Sequence, residues 1–288
     1  MSGSARARTA AVVVAYESGV ALARCTEDLA AAGVAELVVV DNGSTDGSVE
    51  AARTNAPDLV AITPGHNLGY GSAANRGAAA TSAPFLLVCN PDLEVPAEAI
   101  DVLVAALDED QRRAVAGPLI RTPSGERYPS ARHFPSLVDA AGHALLGLFQ
   151  PDNRFTRAYQ RADLTGSSTV PVDADWVSGA CFLVRRDAFE EVGGFDESYF
   201  MYAEDVDLCW RLGRAGWHVV YAPAAEVTHV QGTSTARHPY RMILEHHRSL
   251  LRFAGRSTRG WHRIMLPAVA VGIATRCGLA VVARAMQS

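Results

Sequence analysis

The chain has 288 residues, 49% of them apolar and 20% charged, enough to bury one large core without disulfides or metals to staple it. Its five cysteines, Cys25, Cys89, Cys181, Cys209 and Cys277, are scattered and lack the paired spacing of a zinc site or redox motif, so reduced core residues are expected. The net charge of −5 hides an asymmetry: residues 237 to 288 carry nine arginines against the single Glu245, which leaves about −13 on the first 236 residues and about +8 on the tail. All 26 basic residues are arginine, no stacking aromatics interleave with them, and the main body is acidic; this argues against nucleic acid and for an anionic lipid surface as the tail's partner.

At the N-terminus, Arg6 and Arg8 precede only six apolar residues, Ala10 to Ala15, too few for the core of a secretion signal, so a cytoplasmic location is expected. Short Val- and Leu-rich runs then alternate with alanine-rich stretches, the βαβ pattern. Strands are predicted at Ala11 to Tyr16, Glu36 to Val40, Leu59 to Thr63, Phe85 to Cys89 and Ala114 to Gly117, with helices at Gly19 to Ala32, Asp46 to Thr54, Gly71 to Thr81 and Ala97 to Leu107. Ser44 and Asp46 are natural caps for the second helix, which would aim free amides near Asp41. From Pro151 to Pro171 the chain is polar and aperiodic, and a loop is expected.

Beyond that loop, strands are predicted at Asp173 to Val177, Ala180 to Arg185, Trp217 to Tyr221 and Glu226 to Val230, and helices at Arg186 to Val192 and Ala203 to Ala215. The order predicts an α/β fold with a mostly parallel central sheet flanked by helices over residues 1–236, followed by a basic, amphipathic helical tail over 237–288. In the tail, Ile264 to Thr275 is a run of twelve uncharged residues broken by Pro267 and ended by Arg276. Spanning a bilayer takes about 20 residues, so a helix lying on a membrane surface, or packed in a core or an oligomer contact, is expected instead of a span.

Val38-Val39-Val40 deliver Asp41 and Asn42 into a turn-forming loop, and Phe85 to Cys89 deliver Asn90-Pro91-Asp92 in the same way. Buried parallel strands ending like this place their polar residues at the carboxyl edge of the sheet, where ligands of such sheets bind. An oxygen ligand at Asp92 suits a hard cation, Mg2+ or Mn2+, that also touches diphosphate oxygens; a plain capping turn is the bland alternative. Tyr199-Phe200-Met201-Tyr202 precede Glu204, Asp205 and Asp207, which gives a sugar-sized aromatic slot with a base at its rim, although acids in a helix's first turn are also favoured by its dipole. His229 is a second candidate cation ligand through a neutral ring nitrogen, or a structural histidine at a strand end. Gly69, Gly71 and Ala74 imitate a dinucleotide fingerprint, but they follow the third strand and lack the ribose-binding acid; these glycines are expected to let backbone approach a ligand.

Taken in order, Val40-Asp41-Asn42-Gly43-Ser44-Thr45-Asp46-Gly47-Ser48, Asn67-Leu68-Gly69-Tyr70-Gly71 with Asn75 and Gly77, Asn90-Pro91-Asp92, Ser178-Gly179-Ala180, and Gly193-Gly194-Phe195-Asp196-Glu197 ahead of Glu204-Asp205-Val206-Asp207-Leu208-Cys209 resemble the family 2 glycosyltransferases with the GT-A fold, over about residues 9 to 235. Within that family the chain is most similar to bacterial rhamnosyltransferases that move L-rhamnose from a dTDP-sugar to N-acetylglucosamine on polyprenyl diphosphate. A family 2 enzyme using UDP-galactofuranose or UDP-N-acetylglucosamine is the alternative. A nucleotidyltransferase fits less well: it would need a glycine- and basic-rich loop after its first strand, where this chain has Tyr16-Glu17-Ser18-Gly19.

The resemblance implies a nucleotide-sugar pocket built from Ala15, Tyr16, Glu17, Asp41, Asn67, Gly69, Tyr70, Arg76, Asn90, Asp92 and Gly179. It implies a divalent cation, Mg2+ or Mn2+, on Asp92 and His229, with Asp205 as general base and Glu204 beside it contacting hydroxyls. It also implies inversion at the anomeric carbon, in cell-wall or surface polysaccharide synthesis at the inner face of the membrane, with a homo-oligomer compatible. At Asn90 an amide replaces the family's usual first acid of the metal motif, so metal affinity would rest on fewer charges.

Overall fold

The computed structural model describes residues 4–132, 134, 150, 153, 154, 169–230 and 239–286. Its strands are β1 (Thr9–Ala15), β2 (Glu36–Asp41), β3 (Val60–Ile62), β4 (Phe85–Cys89), β5 (Leu93–Glu94), β6 (Arg113–Arg121), β7 (Arg127–Tyr128), β8 (Ala131–Arg132), β9 (Val172–Ala174), β10 (Trp176–Val177), β11 (Cys181–Arg185) and β12 (His218–His229). The helices are α1 (Val20–Ala32), α2 (Ser48–Asn55), α3 (Tyr70–Ala79), α4 (Ala97–Asp108), α5 (Arg186–Glu191), α6 (Glu204–Arg214), α7 (Pro239–Ser257) and α8 (Leu266–Ala285). The loop expected from Pro151 to Pro171 lies almost wholly outside the described residues.

The main sheet has the order β3-β2-β1-β4-β11-β6-β12-β5. Every residue of β1 is buried, because helices cover both faces of the sheet and an apolar run without alternation suits such a strand. Side chains alternate between the two layers. Ala11, Val13 and Ala15 join a core with Leu22 and Leu29 of α1 and Ile100, Leu103 and Leu107 of α4. Ala10, Val12 and Val14 join the other core with Ala73 and Ala74 of α3, Phe189 of α5 and Leu208 and Leu212 of α6. All five cysteines are free, and Cys25, Cys89, Cys181 and Cys209 are buried.

The α/β fold with helices flanking a central sheet is as expected, with β3-β2-β1-β4 and the β6–β12 pair parallel. Within it β11 runs antiparallel to both β4 and β6, since apolar composition reports that a strand is buried and carries no information about its direction. Several boundaries need correction. The two strands expected at Trp217 to Tyr221 and Glu226 to Val230 are the single β12, whose register against β6 shifts between Ala222 and Glu226, where Pro223 cannot donate to the ladder. The strand expected at Asp173 to Val177 divides into β9 and β10. Helix α2 starts two residues late with Gly47 in the left-handed region as its cap. Ser44 ties down the loop after β1, accepting the Glu17 amide at 2.9 Å, while Asp46 accepts both the Gly19 amide at 2.8 Å and, as expected of a cap, the Ser48 amide that opens α2 at 3.1 Å.

The tail forms two helices, and α7 packs on the α/β domain. Phe253 is buried in a cluster with Tyr199 and Ala203, and the Ser249 hydroxyl donates to the Met201 carbonyl at 2.9 Å. Arg256 pairs with Asp196 and, at 3.2 Å, with the fully buried Asp207, which also holds Arg211 at 2.7 Å. Helix α8 buries no residue. The apolar run does not stop at Arg276 but continues through α8, and Gly260–Ala285, 26 residues, is long and apolar enough by length and composition to cross a membrane. The basis for expecting too short a run therefore falls: Arg276 interrupts the charge-free stretch without ending the helix.

Candidate active site

A cleft of about 440 Å3 opens at the carboxyl ends of β1, β2 and β4. Ala15, Tyr16, Asn67, Gly69, Tyr70, Asn90, Asp92 and His229 all line it, together with Phe200, Met201 and Tyr202 of the aromatic run. The convergence follows from topology: β1 and β4 are parallel neighbours, while β12 comes antiparallel to β5 and sets His229 opposite Leu93, next to Asp92.

Other expected residues, the acidic pair Glu204 and Asp205 among them, stand behind the lining. Asp41 is buried, and its Oδ1 accepts the Ser44 amide at 2.9 Å, so it shapes the turn from which Asn42 faces the cleft. Glu17, with a φ of 49°, buries its carboxylate against Thr45, accepting from that residue's amide and hydroxyl, each at 2.9 Å. Arg76 is exposed and does not line the cleft, because Tyr70, Ala73, Ala74 and Gly77 form the buried face of α3. Gly179 sits one hydrogen bond behind Tyr70, whose phenol donates to its carbonyl at 2.5 Å.

The glycines of the Asn67 to Gly71 segment admit protein backbone and side chains. A Cβ on Gly69, whose φ is 87°, would lie 2.1 Å from the Phe200 carbonyl oxygen, and one on Gly71 2.9 Å from Phe195 Cβ. That close approach lets the Tyr70 amide donate to the Phe200 carbonyl at 3.0 Å, which locks the aromatic run to the start of α3. Asn42 locks the same loop from the other side, donating to the Gly69 carbonyl and accepting the Leu68 amide, both at 3.2 Å.

The acidic pair opens α6. Tyr202 and Ala203 before it have φ of 69° and 61°, a left-handed conformation that non-glycine residues adopt at a cost and that clusters at functional sites. Asp205 is half-buried; its Oδ2 accepts the Gly179 amide at 2.7 Å and its Oδ1 the Val206 amide at 2.8 Å. Burial raises its proton affinity, against the lowering effect of those amides and of Arg132. Glu204 is buried with Oε2 unpartnered among the described residues, and burial, then the Asp205 charge, push it up to about 8. Near neutral pH Glu204 therefore holds its proton.

Asp92 and His229 approach at 3.0 Å between Oδ1 and Nε2, both nearly buried at the cleft wall, with Asn90 Nδ2 3.3 Å from the same ring nitrogen. A carboxylate oxygen beside an imidazole nitrogen fits a divalent cation, and the mixed set suits Mn2+ better than the all-oxygen preference of Mg2+. Among the described residues no three His, Cys, Asp or Glu side chains gather to hold a metal, so the other positions would fall to ligand oxygens and water.

Tyr128, Arg241 and Met242 complete the lining without having been singled out in the sequence. They come from β7 and α7, and no local motif announces them. The signal that does exist for Arg241 is its place in the arginine-rich tail.

The profile of "Glycosyl transferase family 2" matches residues 10–193, and that of "Glycosyl transferase family group 2" matches residues 143–275. An N-acetylglucosaminyl-diphospho-decaprenol L-rhamnosyltransferase of Mycobacterium tuberculosis is 44% identical over 268 residues, 88% of this chain and 86% of that protein. The rhamnosyltransferase WbbL of Escherichia coli is 32% identical over 146 residues, 50% of this chain and 52% of that protein. Among solved structures, a mannosyltransferase from Pyrobaculum calidifontis in complex with GDP-Man and Mn2+ has a TM-score of 0.58 at 18% identity, covering 98% of this chain and 76% of that one. GalNAc-T7 with UDP, GalNAc and Mn2+ has a TM-score of 0.59 at 18% identity, covering 77% and 44%. These neighbours share the GT-A fold with its mixed sheet. A profile that covers more than half of the chain, and a relative matched over nearly its whole length, place this chain in the family 2 glycosyltransferases.

Proposed function

We propose that this glycosyltransferase moves L-rhamnose from dTDP-rhamnose to N-acetylglucosamine carried on polyprenyl diphosphate, with inversion, in the synthesis of cell-wall or surface polysaccharide. The observation that carries the reading is the 44% identity over 88% of the chain to a protein named for that sugar and that kind of acceptor. The cleft supports it, since its walls offer a nucleotide end at Ala15, Tyr16 and Asn67, a cation pair at Asp92 and His229, and an aromatic slot at Phe200 to Tyr202.

Asp205 removes the proton from the attacking acceptor hydroxyl, and the nucleoside diphosphate leaves from the opposite face of the sugar. A base raised by burial is better matched to neutral pH than a free carboxylate. The Gly179 and Val206 amides fix its rotamer, and Glu204, protonated near neutral pH, keeps a second negative charge away from it. A cation on Asp92 and His229 would supply electrostatic stabilisation of the charge on the departing diphosphate. Helices α7 and α8 hold the enzyme at the inner face of an anionic membrane: residues 246 to 288 hold seven arginines and no acid, and α8 presents Val271, Leu279 and Val282 to its surroundings. Arg276 within α8 favours a helix lying in the interface over one crossing it.

The test offers dTDP-rhamnose, UDP-galactofuranose and UDP-N-acetylglucosamine, each with and without Mn2+, together with N-acetylglucosamine on farnesyl diphosphate. Release of nucleoside diphosphate from dTDP-rhamnose is expected to exceed the others. Faster release from either UDP-sugar would replace the donor assignment.

A further inference from the structure

Helix α7 does more than carry the tail away from the domain. Its middle is fastened to the aromatic run by the Ser249 hydrogen bond to Met201 and by His246, which meets the Tyr202 ring edge-on at 5.2 Å. Its first turn consequently reaches the cleft, where Arg241 and Met242 join Phe200, Met201 and Tyr202 in the wall. The Arg241 guanidinium lies 4.4 Å from the centroid of the Phe200 ring. Among the described residues no carboxylate pairs with it, whereas Arg248 is paired with Glu245 and Arg256 with Asp207. A stacked, unpaired guanidinium at the rim of a cleft is a preorganised fork for phosphate oxygens.

Helix α8 runs back along α7. The two helices pack on each other, with His246 and Arg276 fifteen positions on either side of Trp261 in the turn between them. The same count brings Val281 about level with Arg241. The exposed apolar positions Leu279, Val282 and Met286 therefore lie toward the Arg241 end of α7.

We infer that Arg241 binds the diphosphate of the acceptor, with the prenyl chain laid on the α8 side and the acceptor sugar in the slot. The inference rests on the polyprenyl-diphosphate reading of the acceptor. It assigns the donor's diphosphate to the Asp92 and His229 end and the acceptor's to the α7 end, so the two anions do not compete for one site.

The test uses the full chain and its Arg241→Ala and Arg241→Lys variants. The acceptors are N-acetylglucosamine on farnesyl diphosphate and the neutral octyl glycoside of the same sugar. Arg241→Ala is expected to raise the KM for the diphosphate acceptor by about 10- to 100-fold, the worth of charge-assisted hydrogen bonds. The KM for dTDP-rhamnose and for the octyl glycoside should stay within about twofold of wild type, and Arg241→Lys should recover part of the loss. An unchanged KM for the diphosphate acceptor, an equal loss with both acceptors, or a loss confined to the donor would overturn the assignment. Calorimetric binding of farnesyl diphosphate in the presence of dTDP and Mn2+ reads the same site without turnover. There, weaker binding by Arg241→Ala upholds the site even if transfer fails with every donor, and equal binding removes it.

Discussion

The phenol of Tyr70 and the carboxylate of Asp205 grip the same residue from its two ends: Tyr70 donates to the Gly179 carbonyl at 2.5 Å, and the Gly179 amide donates to Asp205 Oδ2 at 2.7 Å. A residue in the cleft wall is thereby coupled to the proposed base. Asp205→Asn should keep donor binding and lose about 100- to 10,000-fold in turnover. Tyr70→Phe leaves the buried Gly179 carbonyl without its partner and should cost about 1–3 kcal/mol in a denaturant titration, with a smaller fall in turnover than Asp205→Asn. Wild-type turnover in Asp205→Asn would take the base role away from it.

Gly69→Ala should be among the most damaging single-methyl changes in the chain. It forces a left-handed φ of 87° on alanine and drives a methyl to 2.1 Å from the Phe200 carbonyl. The expected loss is about 2 kcal/mol or more, together with weaker donor binding by calorimetry, since the loop and the aromatic run separate together.

Glu204 makes stability fall with rising pH. Its folded-state proton affinity lies above the unfolded value, so the favourable term is fully present below about 4.5 and is lost as pH climbs toward about 8. Glu204→Gln removes the titration while keeping the shape. Urea midpoints of wild type and variant should be close at pH 5, and the variant should be the more stable by pH 8. A wild-type midpoint that does not fall relative to the variant over that interval would show that Glu204 is not held protonated.

A cation on the proposed ligands Asp92 and His229 would have only two protein donors, so Mn2+ should bind more tightly once dTDP supplies diphosphate oxygens. His229→Ala should erase that mutual enhancement in calorimetry. Survival of the enhancement in His229→Ala would move the second ligand elsewhere.

The paired change Leu279→Glu with Val282→Glu should lower co-sedimentation with anionic vesicles by about tenfold or more, because each apolar side chain kept out of water is worth roughly 1.5–3 kcal/mol. Binding of dTDP is expected to be unaffected. If vesicle binding is retained while the variant changes its sedimentation in solution, α8 covers a second copy of the chain instead of a lipid surface.

Legibility in the sequence followed the range of the forces involved. Strand β4 appears at Phe85 to Cys89 as expected, because a continuous apolar run between turn residues depends only on local pattern and burial. Asp92 and His229 were each identifiable at strand ends, and their approach follows from strand pairing. The reversed direction of β11 was not legible, since Phe182, Leu183 and Val184 would be buried equally well in either sense. Tyr128, Arg241 and Met242 reach the cleft only through tertiary packing. Asp41 was readable as a strand-end acid, but local polar bonding within its own turn decides where its carboxylate points.

The docking of α7 bears on how this enzyme should be shortened for solution work. Cutting before Pro239 would remove Phe253 from its seat on Tyr199 and deprive the enclosed Asp207 of Arg256, leaving an anion with half its counter-charge inside the protein. A cut after Ser257 spares both and removes the greasy helix together with Thr258, Arg259 and the turn Gly260–Met265 that leads into it. The natural seam of the molecule thus lies between its last two helices, well past the point where the charge of the sequence changes sign.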